Sequence, residues 1–151
     1  MKLKVMAMTA FLTTIGLSSV VYAASGEHFQ TLQQTGDCVQ CDLRGAPLGN
    51  ANLSGADLRG AKLALASLKR TLLADADLRG ANLEGANLEN ADLRHANLRG
   101  ANLRLANLSG ADFEGAKLQG ANLKGALLNG ANFCRATMSE QYQSLQVCRR
   151  F

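Results

Sequence analysis

The chain has 151 residues and a formal charge of +4, from 16 Lys+Arg against 12 Asp+Glu. It is 47% apolar but only 5% aromatic, with one Pro and no Trp. The length excludes two full domains, the apolar fraction excludes a chain disordered by composition, and the shortage of rings excludes a core of the usual kind, where aromatics supply much of the buried area.

Residues 1–23 read as a secretory signal peptide. Lys2 and Lys4 open it with no acidic residue, and an apolar run from Val5 to Val21 follows. Val21-Tyr22-Ala23 places small residues where a signal peptidase reads, so cleavage is expected between Ala23 and Ala24. Ala24 in place of Cys disfavours a lipoprotein. An uncleaved anchor is the competing reading, but Thr9, Thr13, Thr14, Ser18 and Ser19 dilute the run. Cleavage leaves 14 Lys+Arg against 12 Asp+Glu, a formal +2. A chain so nearly balanced gives no electrostatic ground for nucleic-acid binding. The expected location is exported: periplasmic, secreted, or the thylakoid lumen in a photosynthetic organism. No integral membrane span is expected once the signal is removed.

Residues 24–40 read as an N-terminal cap. Glu27 to Gln34 has helical character, with Phe29 and Leu32 at i, i+3. Gly36-Asp37-Cys38-Val39-Gln40 then fits the period that follows as a degenerate first repeat.

From residue 41 to 140 the chain runs in fives, as 20 pentads without insertion. The third position is Leu throughout except Phe113, Phe133 and Met138. Ala stands two residues earlier in 18 of the 20, the exceptions being Cys41 and Thr71. Asn or Asp lies between them in 13, and Gly closes 11. A period of five fits neither regular element. On a helix it advances each side chain by a net angle of about 140°, and on a strand an odd period flips the face. The Leu positions can share one interior only if the chain changes direction once per pentad. Ala and Leu, two apart, then face in, while Asn, Asp and Gly supply the corners.

This pattern resembles the pentapeptide-repeat family, A-(D/N)-L-x-x. Ala81-Asn82-Leu83-Glu84-Gly85 and Ala91-Asp92-Leu93-Arg94-His95 match it as they stand. The resemblance implies an all-β fold, a right-handed quadrilateral β-helix with four pentads per coil and about five coils. Arg59, Arg79 and Arg99, spaced by 20, agree with that. Residues 141–151 leave the period and carry Tyr142, Leu145, Val147 and Phe151, which reads as a C-terminal capping tail for an exposed ladder edge.

The rod limits the cysteines. Cys38 and Cys41 sit at its first coil and Cys134 on its last, too far apart to bridge. Cys134 is therefore expected to pair with Cys148, and Cys38 with Cys41, in an export compartment that permits disulfides. Inert free thiols are the plainer alternative. A four-Cys zinc site would need both ends of the rod together, and a redox CxxC belongs at a helix N-terminus.

The sequence implies no enzyme, metal or cofactor. It lacks a Gly-rich phosphate loop, GxSxG, HExxH or DxDxDG motif. His28 lies in the cap, and His95 reads as a solvated corner residue near Asp75 and Asp92. Arg59, Arg79 and Arg99 should form one column, either a solvated ladder paired diagonally with Asp57 and Asp77 or a shallow anion-binding face. The second coil is the least regular: Lys62, Ser67 and Leu72 replace Asn/Asp, and Leu65, Arg70 and Asp75 replace the closing Gly. Leu65, Arg70 and Leu72 there make a candidate partner patch, with repeat drift as the bland alternative.

The leading expectation is an exported, non-enzymatic scaffold that binds an unidentified protein, with end-to-end pairing of two rods left open. The alternative is binding of an anionic glycan or lipid headgroup. The family also implies a third reading, DNA mimicry directed at DNA gyrase, which requires a strongly negative surface. Ice-binding β-helices resemble flat Thr arrays, and no outer column here is rich in Thr.

Overall fold

A computed structural model describes residues 26–145 and residue 148. The expected signal segment with its Ala23–Ala24 cleavage point, and Val147 and Phe151 of the tail, lie outside these residues.

The first element, α1, spans Gly26–Thr35. It buries Leu32 and rests Phe29 on the core. Gly36, at φ 78°, ends it, its amide donating to the Leu32 carbonyl at 2.9 Å. That left-handed turn is one glycine takes at little cost.

Beyond α1 the pentads stack as a parallel coil. Bridges join Asp42 to Lys62, Pro47 to Ser67 and so on up to Asp112 with Asn132, always 20 residues apart. Two short strands, β1 (Lys117–Leu118) and β2 (Thr137–Met138), continue the same register. Four pentads therefore make one turn, and the offset never slips. Each bridge is barely a residue long, because the chain turns again before a strand can extend. The Leu amide donates one way along the stack, as from Leu63 to the Asn82 carbonyl at 2.7 Å. The preceding residue donates the other way, as from Lys62 to the Cys41 carbonyl at 2.8 Å.

Corner chemistry explains the consensus. Every Asn or Asp in the second pentad position, from Asp42 to Asn132, accepts through its Oδ1 from the backbone amide two residues on. These Asx turns are why short polar side chains recur there. The closing residues from Gln40 to Arg135 all have positive φ, whether Gly or not. Nine of them are not Gly, among them Leu65, Arg70, Asp75, His95 and Leu105.

Inside, the Leu and Ala columns are buried almost without gaps. Phe113 and Phe133, one turn apart, stack with centroids 4.9 Å apart and planes 9° from parallel. Thr71, buried where the repeat has Ala, donates its hydroxyl to the Leu48 carbonyl at 2.7 Å, so its polar group is satisfied.

Both ends depart from the repeat without leaving its register. Cys38 and Gln40 donate to the carbonyls of Asp57 and Arg59, each at 2.8 Å, which places the degenerate first repeat on the ladder. At the other end, Gly120 donates to Ser139 Oγ at 2.9 Å and Leu123 to Tyr142 Oη at 3.3 Å. These are the 19-residue offsets of the ladder, met by side-chain oxygens instead of carbonyls. Tyr142 and Leu145, in the 3₁₀ turn Glu140–Leu145, lean on the core. Among the described residues no helix is long and apolar enough to cross a membrane.

Candidate interaction surface

The cysteines form two bridges, Cys38–Cys41 and Cys134–Cys148, with Cα separations of 5.3 and 4.7 Å. The first sits on the first coil beside α1, where Cys38 Sγ lies 3.2 Å from the His28 carbonyl oxygen. His28 Nδ1 accepts the Asp42 amide at 3.0 Å, a second tie between α1 and the first coil. The second bridge ties the tail to the last coil.

Arg59, Arg79 and Arg99 do occupy one exposed column, but their pairing differs from the diagonal ladder the spacing suggests. Arg59 grips Asp57 through Nε at 2.8 Å and Nη2 at 2.6 Å, while its diagonal approach to Asp77 is 4.0 Å. Arg79 holds Asp77 in the same forked manner. The outward turn brings pentad positions two and four side by side, so that the arginine reaches both oxygens of its own pentad's Asp. Arg99 follows Asn97 and turns instead to Gln119 Oε1 at 3.0 Å. Two pairs that the spacing argument left out, Arg44–Asp42 and Arg94–Asp92, repeat the fork. Its hydrogen bonds from Arg44 hold the Asp42 carboxyl down from 3.8 to about 2. Arg59, Arg79 and Arg94 likewise lower Asp57, Asp77 and Asp92, chiefly by hydrogen bonding to the charged form.

Leu65, Arg70 and Leu72 are all exposed on one turn, yet they do not share a face. Leu65 and Arg70 stand at successive corners and Leu72 lies beyond the second. Leu65 is 75% exposed and Leu72 43%. Leu65 instead shares its corner column with Leu105, two turns on and 60% exposed, and Gly85 lies between them. Leu127, 55% exposed, lies one coil above Asn107 and so within reach of the Leu105 corner. His95 lays its ring over Gly115, its Nδ1 2.5 Å from where a Cβ on that glycine would stand. Among the described residues it makes no hydrogen bond to Asp75 or Asp92.

Reading the spacing missed a group of cations on the last two turns: Arg104, Lys117 and Lys124, next to Arg99. All four are exposed, and none makes an ion pair among the described residues. The signal that separates Arg99, Arg104 and Lys124 from the forked arginines was in the sequence. Arg44, Arg59, Arg79 and Arg94 each follow Asp-Leu, whereas these three follow Asn-Leu.

The family model for pentapeptide repeats matches residues 37–75, 71–110 and 106–140, with eight copies. Among solved structures, the chain is similar to a pentapeptide repeat protein from Nostoc PCC 7120, at 30% identity and TM-score 0.60 over 77% of this chain and 96% of that one. It is also similar to a pentapeptide repeat protein of the Arabidopsis thaliana thylakoid lumen, at 31% identity and TM-score 0.52 over 67% of this chain and 74% of that one. A comparison with curated proteins found no match.

Proposed function

We propose, from the premise that the chain belongs to the pentapeptide repeat family, that it is a non-enzymatic, exported scaffold binding another protein. It is a right-handed quadrilateral rod of about five coils, closed by α1 at one end and by the bridged tail at the other. One observation carries the binding role. At Leu65 and Leu105 the corner takes a large exposed apolar residue at positive φ, where Gly would cost less backbone strain. Retaining such residues against local preference is the mark of a surface under a second demand.

Export is supported by the signal-like residues 1–23, by two disulfides suited to an oxidising compartment, and by the lumenal location of the Arabidopsis relative. Intact mass and disulfide mapping of protein from its native host test it. Cleavage after Ala23 with all four thiols oxidised is the expected result. Binding is tested by capture of a reproducible partner from the exported compartment with the wild type and with Leu65→Asp/Leu105→Asp. The variant should keep its fold and lose the partner. Retained capture would remove these leucines from the interface.

Binding of an anionic glycan or lipid headgroup is the second reading, favoured by Arg99, Arg104 and Lys124, which make no ion pair among the described residues. Arg59 and Arg79 do not favour it, because their guanidiniums are occupied. DNA mimicry needs dense negative charge. A formal charge of about +2 after the expected cleavage leaves it little support.

A further inference from the structure

The repeat sorts the basic residues at its fourth position that follow Asp-Leu or Asn-Leu into two classes by the residue two places earlier. An Asx turn needs only one acceptor oxygen, and Asp and Asn supply it equally. Asp57 and Asn97 accept from the amides of Arg59 and Arg99 at 3.3 and 3.4 Å. The carboxylate adds a second oxygen that the amide lacks, and with it the fork. Asp at 42, 57, 77 and 92 therefore neutralises the arginine two residues later. Asn at 97, 102 and 122 keeps the turn, and among the described residues Arg99, Arg104 and Lys124 meet no carboxylate at ion-pair distance.

These three residues cluster. Arg99 lies on one face, and Arg104 and Lys124, one turn apart, lie on the next. Gly100 and Gly120 form the bare corner between the faces, and Lys117 stands beside Arg99. Turns stack about 4.8 Å apart, so the four cations occupy a compact patch. Glu84 lies one turn below Arg104, yet its carboxylate takes the Asn102 amide at 3.1 Å instead. Of the acids of the same two turns, Asp112 and Glu114 lie on a different face against Arg94 and Arg135, and Glu140, exposed one turn beyond Gly120, makes no ion pair with the patch among the described residues. Leu105, exposed, follows Arg104 directly.

We infer that Arg99, Arg104, Lys117 and Lys124 form a docking patch for an acidic, partly apolar segment of another protein. The inference rests on the protein-binding reading and deepens it. The ligand class comes from the fold itself. At the same repeat position, four arginines already hold carboxylates in a two-point grip, so Arg104 is placed to do the same with a carboxylate from outside, and Arg99 to do so by exchanging Gln119 for it. Guanidinium matches carboxylate bidentately, and Leu105 offers the apolar contact.

The test is to restore the missing carboxylates. Asn97→Asp/Asn102→Asp recreates the Asp-Leu-Arg sequence twice while keeping both turns. The probe is a short peptide of alternating Glu and Ala with one central Leu, titrated against folded protein and read by NMR. In the wild type the Arg99 and Arg104 Nε–H signals should shift, and added salt should weaken binding. The double variant should keep its melting temperature and bind at least about tenfold more weakly. Asn50→Asp/Asn52→Asp, which adds the same charge near the opposite end, should bind much as the wild type does. Equal binding by Asn97→Asp/Asn102→Asp would overturn the proposal. So would tighter binding to phosphatidylglycerol vesicles or to polygalacturonate than to the peptide. If the patch fails while Leu65→Asp/Leu105→Asp still abolishes partner capture, the protein-binding reading stands without it.

Discussion

Leu65 lies over Gly85, one turn further along the same corner column, with its Cδ2 2.8 Å from where a Cβ on Gly85 would stand. Leu105 stands over Gly125 at the same 2.8 Å. At these two corners a Cβ on the next turn would have to displace an exposed leucine tip, a demand separate from backbone conformation, whereas Asn90 stands one turn beyond Arg70 and His95 one turn beyond Asp75. Gly80, at φ +64°, has nothing within 4 Å of its site and carries only the conformational demand.

Gly85→Ala is expected to destabilise the rod more than Gly80→Ala does. Left-handed backbone should cost each about 1 kcal/mol, and turning the exposed Leu65 tip aside should add about 0.5 kcal/mol more at Gly85. In the background of Leu65→Gly that excess should vanish. A double-mutant cycle by chemical denaturation checks it, and no coupling between 65 and 85 would refute the contact.

Acid should act on the Asp–Arg forks with a definite sign. Asp42, Asp57, Asp77 and Asp92 have folded-state pKa values below their unfolded ones. Their contribution is thus complete above about pH 4 and is lost as pH falls toward 2. Asp42→Asn keeps the turn and removes the titration, so its stability should fall less steeply over that window. Denaturation midpoints at pH 5, 3 and 2 measure this. The arginines are half exposed, so added salt should shrink the difference.

Thr71→Val preserves shape but deletes the hydroxyl that donates to the Leu48 carbonyl. A cost of about 1 kcal/mol is expected. A neutral result by thermal denaturation would mean that the hydrogen bond merely offsets desolvation.

The two disulfides should differ in weight. Cys134–Cys148 closes 14 residues and Cys38–Cys41 only three. Replacing both cysteines of a pair by Ser should cost about 3 kcal/mol for the tail bridge and about 2 kcal/mol for the first-coil bridge. Melting curves of the two variants give the comparison.

Much of this architecture was legible in the chain. Ala and Leu two apart must face the same way, and a period of five forces a turn per pentad, whatever the rest of the molecule does. The Asx and closing positions follow from local backbone chemistry. The shortage of aromatic residues follows too: one face one pentad wide admits a Leu and an Ala, and rings enter only where Phe113 and Phe133 can stack across turns.

What remained hidden depends on which residues meet across 20 positions or around a corner. The spacing placed Arg59, Arg79 and Arg99 in one column, but the outward turn decided that Arg59 and Arg79 close on their own pentad's Asp. It likewise left Arg99 to Gln119. The candidate patch of Leu65, Arg70 and Leu72, contiguous on paper, wraps around two corners in space, while Leu65 and Leu105, 40 residues apart, share one column. Local period determines direction in or out, because that is set within a few bonds. Neighbourhood on the outer faces is set by stacking, which only the closed coil supplies.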